Sequence, residues 1–510
     1  ILVPAVAAAG LVTWSVISAI ASDAPWGATI FGWWLRADGL LATVGAGLLL
    51  LSAATLAASE VPRVLAWILG GASLMVVVGL AQMAGASIMG STGGPVLGTL
   101  GNTNYAAGYF AIVAVLSLGC VMCPGPTWQR VWAGVLAAML IVLVVGTGAI
   151  QGPAALAGGL LGAGVGAAVM NRGPRRRQGL AAVGIIAVLS LALVAATVAG
   201  SGPLAWIMDE GNTRARMAAW ETGWNILNAR PILGTGPGGL ARYFGEFRNE
   251  SVVVVAGPDA RPSALHNIAL QFGVTVGWLG LALWIILVAG ALWALFGRMM
   301  AGPVRSPWLA VSVLGAFVAY VTQGLVSVDT PPLLGMGWLV MGLALALARE
   351  PAAESAPSPA VSGRRDRSTP KGSSRRPSPR PAEARTPAWV PITGATLGVV
   401  GMLLVGWQMA TAQTAFGTID PKSLTSVMTN PMMPCPLRVD VANDVLAQLP
   451  ADVALPAVTA AASDDPRCPP IVHIQSEAAL DSNDLALADA STSEGLELDP
   501  TFARAWLLRA

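Results

Sequence analysis

"HNIALQFGVTVGWLGLALWIILVAGALWALF", His266 to Phe296, carries no charged residue over its whole length. A bilayer core needs about 20 consecutive apolar residues per helix, so 267–296 is long enough to be a membrane span. Working outward, ten more runs meet the same test: 1–20, 39–58, 64–84, 105–122, 131–149, 153–170, 179–200, 307–327, 332–348 and 388–410. The first is read as a span and not a signal peptide, because no basic leader or small-residue cleavage signature accompanies it. The expected fold is all-α: a polytopic helix bundle of about 11 spans. Composition agrees, since 55% of the 510 residues are hydrophobic and 11% charged, against about 25% charged in a soluble domain. The mean hydropathy is +0.65.

Orientation follows from where the cations collect. Arg63, Arg130, Arg172, Arg175, Arg176, Arg177, Arg298 and Arg305 all follow even-numbered spans, and basic residues gather on the cytoplasmic side. The N-terminus is therefore expected in the cytoplasm, and an odd number of spans puts everything after residue 410 outside it. The division reads 1–348 as a membrane core with a long outer loop at 201–265, 349–387 as a disordered basic cytoplasmic linker of Pro, Ser and Arg, 388–410 as the last span, and 411–510 as an extracytoplasmic domain. The linker's charge suits an anionic leaflet better than nucleic acid, and the formal net charge of +2 points to no nucleic-acid partner.

The last domain shows a repeat. Asp465-Pro466 and Asp499-Pro500 lie 34 residues apart, with Asn430-Pro431 one residue off the same period. A 34-residue period ending in "LELDPTFARAWLLRA" resembles tetratricopeptide repeats, with helices expected at 443–449 and 477–490. Cys435 and Cys468 lie outside the cytoplasm in this topology and are placed to form a disulfide across neighbouring repeats.

Strongly polar residues beside a membrane are where function concentrates. "GPVLGTLGNTNYAAGYF" contains Asn102, Asn104 and Tyr105. The long loop contains "TRARMAAWETGWNILNARPILGTGPGGLARYF", in which Arg216 and Trp220 share a helix face and Gly234–Gly239 form a turn whose N–H groups suit an anion. Arg214, Arg230 and Arg242 flank that turn. His266 and Asn267 open the eighth span, and "TQGLVSVDTPPLLGMGW" places Gln323 and Asp329 on the same side. Two readings of His266 stand together: a general base, and a helix-terminal imidazole held by a backbone carbonyl. His473, in the tail, is read as structural. There is no metal-ligand spacing, no P-loop and no GxSxG, and Cys120 and Cys123 read as buried thiols, so neither a metal nor a cofactor is expected.

In order, "GTLGNTNYAAGYF", "R-x-x-x-W…P-I-L-G-T-G-P-G-G", "HN-x-x-L-Q…G-W-L-G" and "Q-G-L-V-S-V-D…W" resemble the O-antigen ligase and O-antigen polymerase superfamily. "DAPWGATIFGWWLRADGL", after the first span, resembles its tetratricopeptide-bearing members. The resemblance implies a glycosyltransferase-C-like membrane bundle in a bacterial cytoplasmic (inner) membrane. It also implies a metal-independent inverting glycosyltransferase that moves glycan from a polyprenyl-diphosphate carrier to a hydroxyl on a glycan, lipid or protein. Carried over to this chain, Arg216 matches the arginine that engages the diphosphate and His266 the histidine that activates the acceptor hydroxyl. Arg214, Arg242, Asn102, Asn104, Tyr105, Asn267, Gly236 and Gly238 are the expected substrate contacts.

Two positions depart from the family pattern: residues 147–152 lack the arginine of a T-x-S-R-G stretch, and Thr275 stands where a Glu is frequent. Those departures motivate a second reading, a non-catalytic membrane subunit that assembles with a protein partner through its repeat tail.

Overall fold

The computed structural model describes residues 1–32, 36–88, 95–171, 211–257, 264–349 and 435–500, besides scattered positions between 177 and 201, at 262, and between 393 and 429. These residues are helical, with no strand among them. Among the described residues eight helices are long and apolar enough to cross a membrane: α1 (Leu2–Ile20), α4 (Val61–Met83), α5 (Thr103–Val121), α6 (Thr127–Gly146), α7 (Gln151–Met170), α11 (Ile268–Ala301), α12 (Pro307–Gly324) and α13 (Pro331–Ala348). Between them lie the short α2 (Trp26–Phe31), the shorter apolar α3 (Leu40–Thr55), and the loop helices α8 (Gly211–Ala229), α9 (Leu240–Phe247) and α10 (Glu250–Ala256). The chain is a multi-pass membrane protein. The expected spans at 179–200 and 388–410, and the linker at 349–387, lie outside the described residues apart from isolated positions.

Small side chains let the spans approach closely. α7 packs along α12, and a Cβ added at Gly159 would lie 2.8 Å from the Cβ of Ala319. α12 is tied in turn to α5, where Ser312 Oγ donates to the Leu116 carbonyl at 2.8 Å. α13 packs on α3, and α1 on α11.

Helix α11 breaks inside its first half. Val276 and Gly277 leave helical geometry, Gly277 with φ of 75°. A side chain there is strained, and its Cβ would fall 2.1 Å from the Ile232 carbonyl oxygen. Freed backbone groups must be satisfied where water is scarce, and four of them find partners from outside the helix. Thr235 N–H donates to Val274 O and Gly236 N–H to Thr275 O, both at 2.9 Å, while Trp278 N–H donates to Pro231 O at 2.9 Å. Trp14 Nε1 completes the set on Val276 O at 2.9 Å. The glycine-rich turn of the long loop is therefore wedged into a broken span. Two of the N–H groups that sequence offered to an anion are bonded to that span's carbonyls.

The tail folds as four helices, α14 (Cys435–Gln448), α15 (Ala451–Asp464), α16 (Pro469–Asp481) and α17 (Leu485–Leu498), each packed on the next. The Cys435–Cys468 disulfide is formed. The helix expected at 477–490 is two, because Asn483 takes a left-handed φ of 60° and the Asp484 side chain caps α17 by accepting from Leu487 N–H. The helix expected at 443–449 begins earlier, at Cys435.

Ala348 closes α13 at the end of the bundle where Arg349 donates to the Ala54 carbonyl, whereas the tail meets the loop helices at the other end. Arg242 of α9 pairs with Asp465, and Arg248, just after α9, pairs with Asp499 at 3.0 Å, all four side chains being almost wholly buried. Arg467 reaches Asp23 at 2.8 Å and Glu246 at 2.9 Å and lies over the Tyr243 ring. Asp465 and Asp499, the two aspartates of the 34-residue period, thus each dock an arginine of the long-loop region.

Candidate active site

At the end of the bundle that carries the long loop, a cavity of about 60 Å³ is lined by Arg36 and Asp38 before α3, His266, Asn267 and Gln271 at the start of α11, and Asp329 and Thr330 before α13, with Ser15 of α1 and Pro237 of the glycine-rich turn also on its wall. Each is set in place by local chemistry. Asn267 caps α11, its Oδ1 accepting from Leu270 N–H at 3.0 Å, as side-chain carbonyls do at helix starts. The residue before it, His266, is held with φ of 53°. An imidazole-bearing residue leaves the common backbone regions at a cost of about 1–3 kcal/mol, which its surroundings must offset.

The long-loop helix supplies that support. Trp220 Nε1 donates to the Leu265 carbonyl at 2.5 Å, and Leu265 N–H donates to Gln271 Oε1 at 3.1 Å, so Leu265, the residue before His266, is held through both its N–H and its carbonyl. One turn earlier on α8, Arg216 Nη1 donates to the Val326 carbonyl at 3.0 Å. This bond anchors the loop that carries Asp329. Arg216 and Trp220, which share a face by spacing, therefore clamp two different loops of one cavity.

Charge and burial then set the protonation states. Burial, followed by the positive charges of Arg216 and Arg36, pushes His266 down to about 4, so its imidazole is neutral at neutral pH. Burial raises the Asp329 carboxyl to about 7, opposed by the Tyr320 hydroxyl and Arg36; Tyr320 donates to Asp329 Oδ2 at 2.7 Å. Burial lowers Arg36 to about 10, against the stabilising charges of Tyr105 and Asp329. The guanidinium thus keeps its charge, and it is ion-paired with Asp38. Ala37, beside it, is another non-glycine residue with positive φ, at 50°.

The cavity retains unused hydrogen-bonding capacity. His266 Nδ1, Arg36 Nε, Asp329 Oδ1 and Thr330 Oγ1 are all buried without a hydrogen-bond partner among the described residues. A buried polar atom left unmatched costs about 1–3 kcal/mol, and native proteins keep few of them. Four of them lie around one small cavity, beside the strained backbone of His266, an arrangement that suits a polar ligand.

The expected site residues divide. His266 and Asn267 line the cavity, and Arg216 acts on His266 through its field. Asn102 caps α5 by accepting from Asn104 N–H at 2.8 Å, while Tyr105, one residue on, lies within electrostatic reach of Arg36. Arg214 is exposed on α8. Arg242 points elsewhere, toward Asp465 and the Asp23 carbonyl. Gly236 and Gly238 are close-approach positions: a Cβ would meet the Ser22 side chain at 2.7 Å and the Ala28 carbonyl oxygen at 2.5 Å, respectively.

Sequence reasoning passed over Arg36, although a signal was there. It is the sole basic residue before Arg63, and in the expected topology it lies on the side that short loops normally keep free of cations.

Residues 95–285 match the family model described as O-antigen ligase. That stretch includes α8, the glycine-rich turn, His266 and the broken part of α11, while Arg36 and Asp329 fall on either side of it. No curated protein matches the chain. Residues 95–285 are thus similar to an O-antigen ligase domain, a likeness that suggests glycosyltransferase-type chemistry in membrane glycan transfer.

Proposed function

We propose that this cavity transfers a glycan from a polyprenyl-diphosphate carrier to a hydroxyl acceptor, with inversion at the anomeric carbon and without a metal. The observation that carries the reading is His266: a neutral imidazole on a strained backbone, its Nδ1 buried without a hydrogen-bond partner, facing two guanidinium groups. In the reaction the acceptor oxygen attacks the anomeric carbon, and the bond from that carbon to the diphosphate oxygen breaks with its electron pair leaving on the diphosphate. The acceptor proton passes to His266. A neutral base near a cationic patch suits both halves of this step, because the base can accept a proton while fixed positive charge stabilises the departing anion.

Arg216 supplies part of that field, and a guanidinium suits a diphosphate through forked hydrogen bonds. Asn267, Asn102, Asn104, Tyr105 and Arg214 remain the proposed substrate contacts around it. Arg242, Gly236 and Gly238 are left out, since their side chain or close packing is engaged in holding the loop and tail. The site end of the bundle is assigned to the outside of the cytoplasmic membrane, with the N-terminus inside. The tail's docking on the loop helices supports a common side for both.

Membranes containing the full chain, given a polyprenyl-diphosphate oligosaccharide and a hydroxyl acceptor, are expected to release polyprenyl diphosphate and form the inverted glycoside. Retention of configuration, or equal release by the His266→Ala variant, overturns the proposal.

A further inference from the structure

We propose that Arg36, in the first inter-span loop, is a second guanidinium that engages the carrier's diphosphate. This inference rests on the proposed function and adds a residue to it.

Three observations independent of one another converge on Arg36. The side chain lines the same cavity as His266 although it stands 230 positions earlier in the chain. It is almost wholly buried, at 5% exposure, yet Nε meets no acceptor among the described residues. Its neighbour Ala37 adopts a left-handed backbone, so the loop accepts strain to hold the residue where it is. The pairing with Asp38 involves Nη2, which fixes the plane of the fork and leaves the Nε N–H for a ligand.

A purely structural ion pair accounts for burial and an unmatched donor but not for the rest. Arg242, in its pair with Asp465, likewise leaves Nε unmatched; what a structural pair does not need is the cavity that Arg36 shares with His266, Asp329 and Thr330. Oxygens of an anion would accept from the vacant Arg36 Nε N–H and the Thr330 hydroxyl. A diphosphate carries oxygens on two phosphorus centres, so that its two phosphates can meet Arg36 and Arg216, the two guanidiniums that act on His266, whereas a monophosphate reaches one of them. Arg36 is thereby a determinant of diphosphate over monophosphate carriers.

The test needs neither the sugar nor the acceptor. The full chain in lipid nanodiscs is titrated with polyprenyl diphosphate and, separately, with polyprenyl monophosphate. The wild type is expected to prefer the diphosphate, and Arg36→Gln to lose about tenfold in diphosphate affinity while its monophosphate affinity changes little. Unchanged diphosphate affinity in Arg36→Gln overturns the role of Arg36, whereas absence of diphosphate binding by the wild type overturns the proposed function itself. Should Arg36→Gln fail to insert, Arg36→Lys decides the matter: it keeps the charge but not the fork, and an undiminished preference in that variant likewise overturns the assignment.

Discussion

Two regions at the same end of the bundle bury arginine, and they do so differently. Where the tail meets the loop helices, Arg242 and Arg248 each face a buried aspartate, Asp465 and Asp499. In the cavity Arg36 also has a carboxylate partner, but around it the Nε of Arg36, Nδ1 of His266, Oδ1 of Asp329 and Oγ1 of Thr330 stay without hydrogen bonds among the described residues. The tail contact matches charge to charge between secondary-structure elements, as an assembly surface does. The cavity holds polar capacity in surplus, within strained backbone at His266 and Ala37. Buried, unmatched polar atoms occur in both regions, Nε of Arg242 and Oδ2 of Asp465 among them; the cavity differs in the open space beside such atoms and in the strained backbone at His266 and Ala37.

The sharpest break in that comparison comes from the cavity. Arg216→Ala and His266→Ala should each lower the transfer rate by about 10²- to 10⁴-fold while the protein still inserts and the tail stays docked, as read by product formation alongside limited proteolysis. Wild-type rates in either variant remove that residue from the mechanism.

At the tail, Asp465→Ala should destabilise docking by about 3–5 kcal/mol, since it strands the buried Arg242 charge. The paired change Arg242→Met with Asp465→Leu should restore most of it. Protease resistance and the thermal midpoint report both, and a paired variant as fragile as the single one would show that this ion pair has another role.

Cys435→Ser should cost the tail about 2–4 kcal/mol, because the disulfide closes a loop across a separation of 33 residues and restricts the unfolded chain. The effect should appear in the tail's own unfolding transition and not in the transfer rate.

The smallest effect is in pH. His266 titrates near 4 in the folded protein, under burial and the charges of Arg216 and Arg36, against 6.5 when unfolded. The unfolded chain therefore binds the extra proton between those values, and wild type should lose stability relative to His266→Gln as pH falls from about 6.5 to about 4. The acid limb of kcat/KM should likewise lie nearer 4 than 6.5, and Arg36→Gln should move it upward.

Much of the fold was legible in one dimension. Span positions follow from apolar run length, and nine of the eleven expected runs correspond to helices among the described residues. The disulfide was legible because oxidation and the repeat spacing both pointed to the same two cysteines. The break in α11 was not, since Gly277 lies in a run apolar enough for a continuous span. Only the approach of Pro231 to Gly236, some 40 residues earlier, shows that this span's carbonyls are capped from outside. The two tail aspartates were visible as a period, but their partners were not, because Arg242 and Arg248 belong to another unit of sequence.

The sequence by itself determined a multi-pass helical bundle, its long polar loop and the short set of ionisable residues able to act, since apolar length and the scarcity of charge are properties of local composition. Which cations serve the cavity and which lock the tail was decided only by tertiary structure. Arg36 and Arg242 are the same residue type, both buried and both held at about 10. They differ in what packing brings opposite each, an unfilled cavity beside His266 in one case and a buried aspartate in the other.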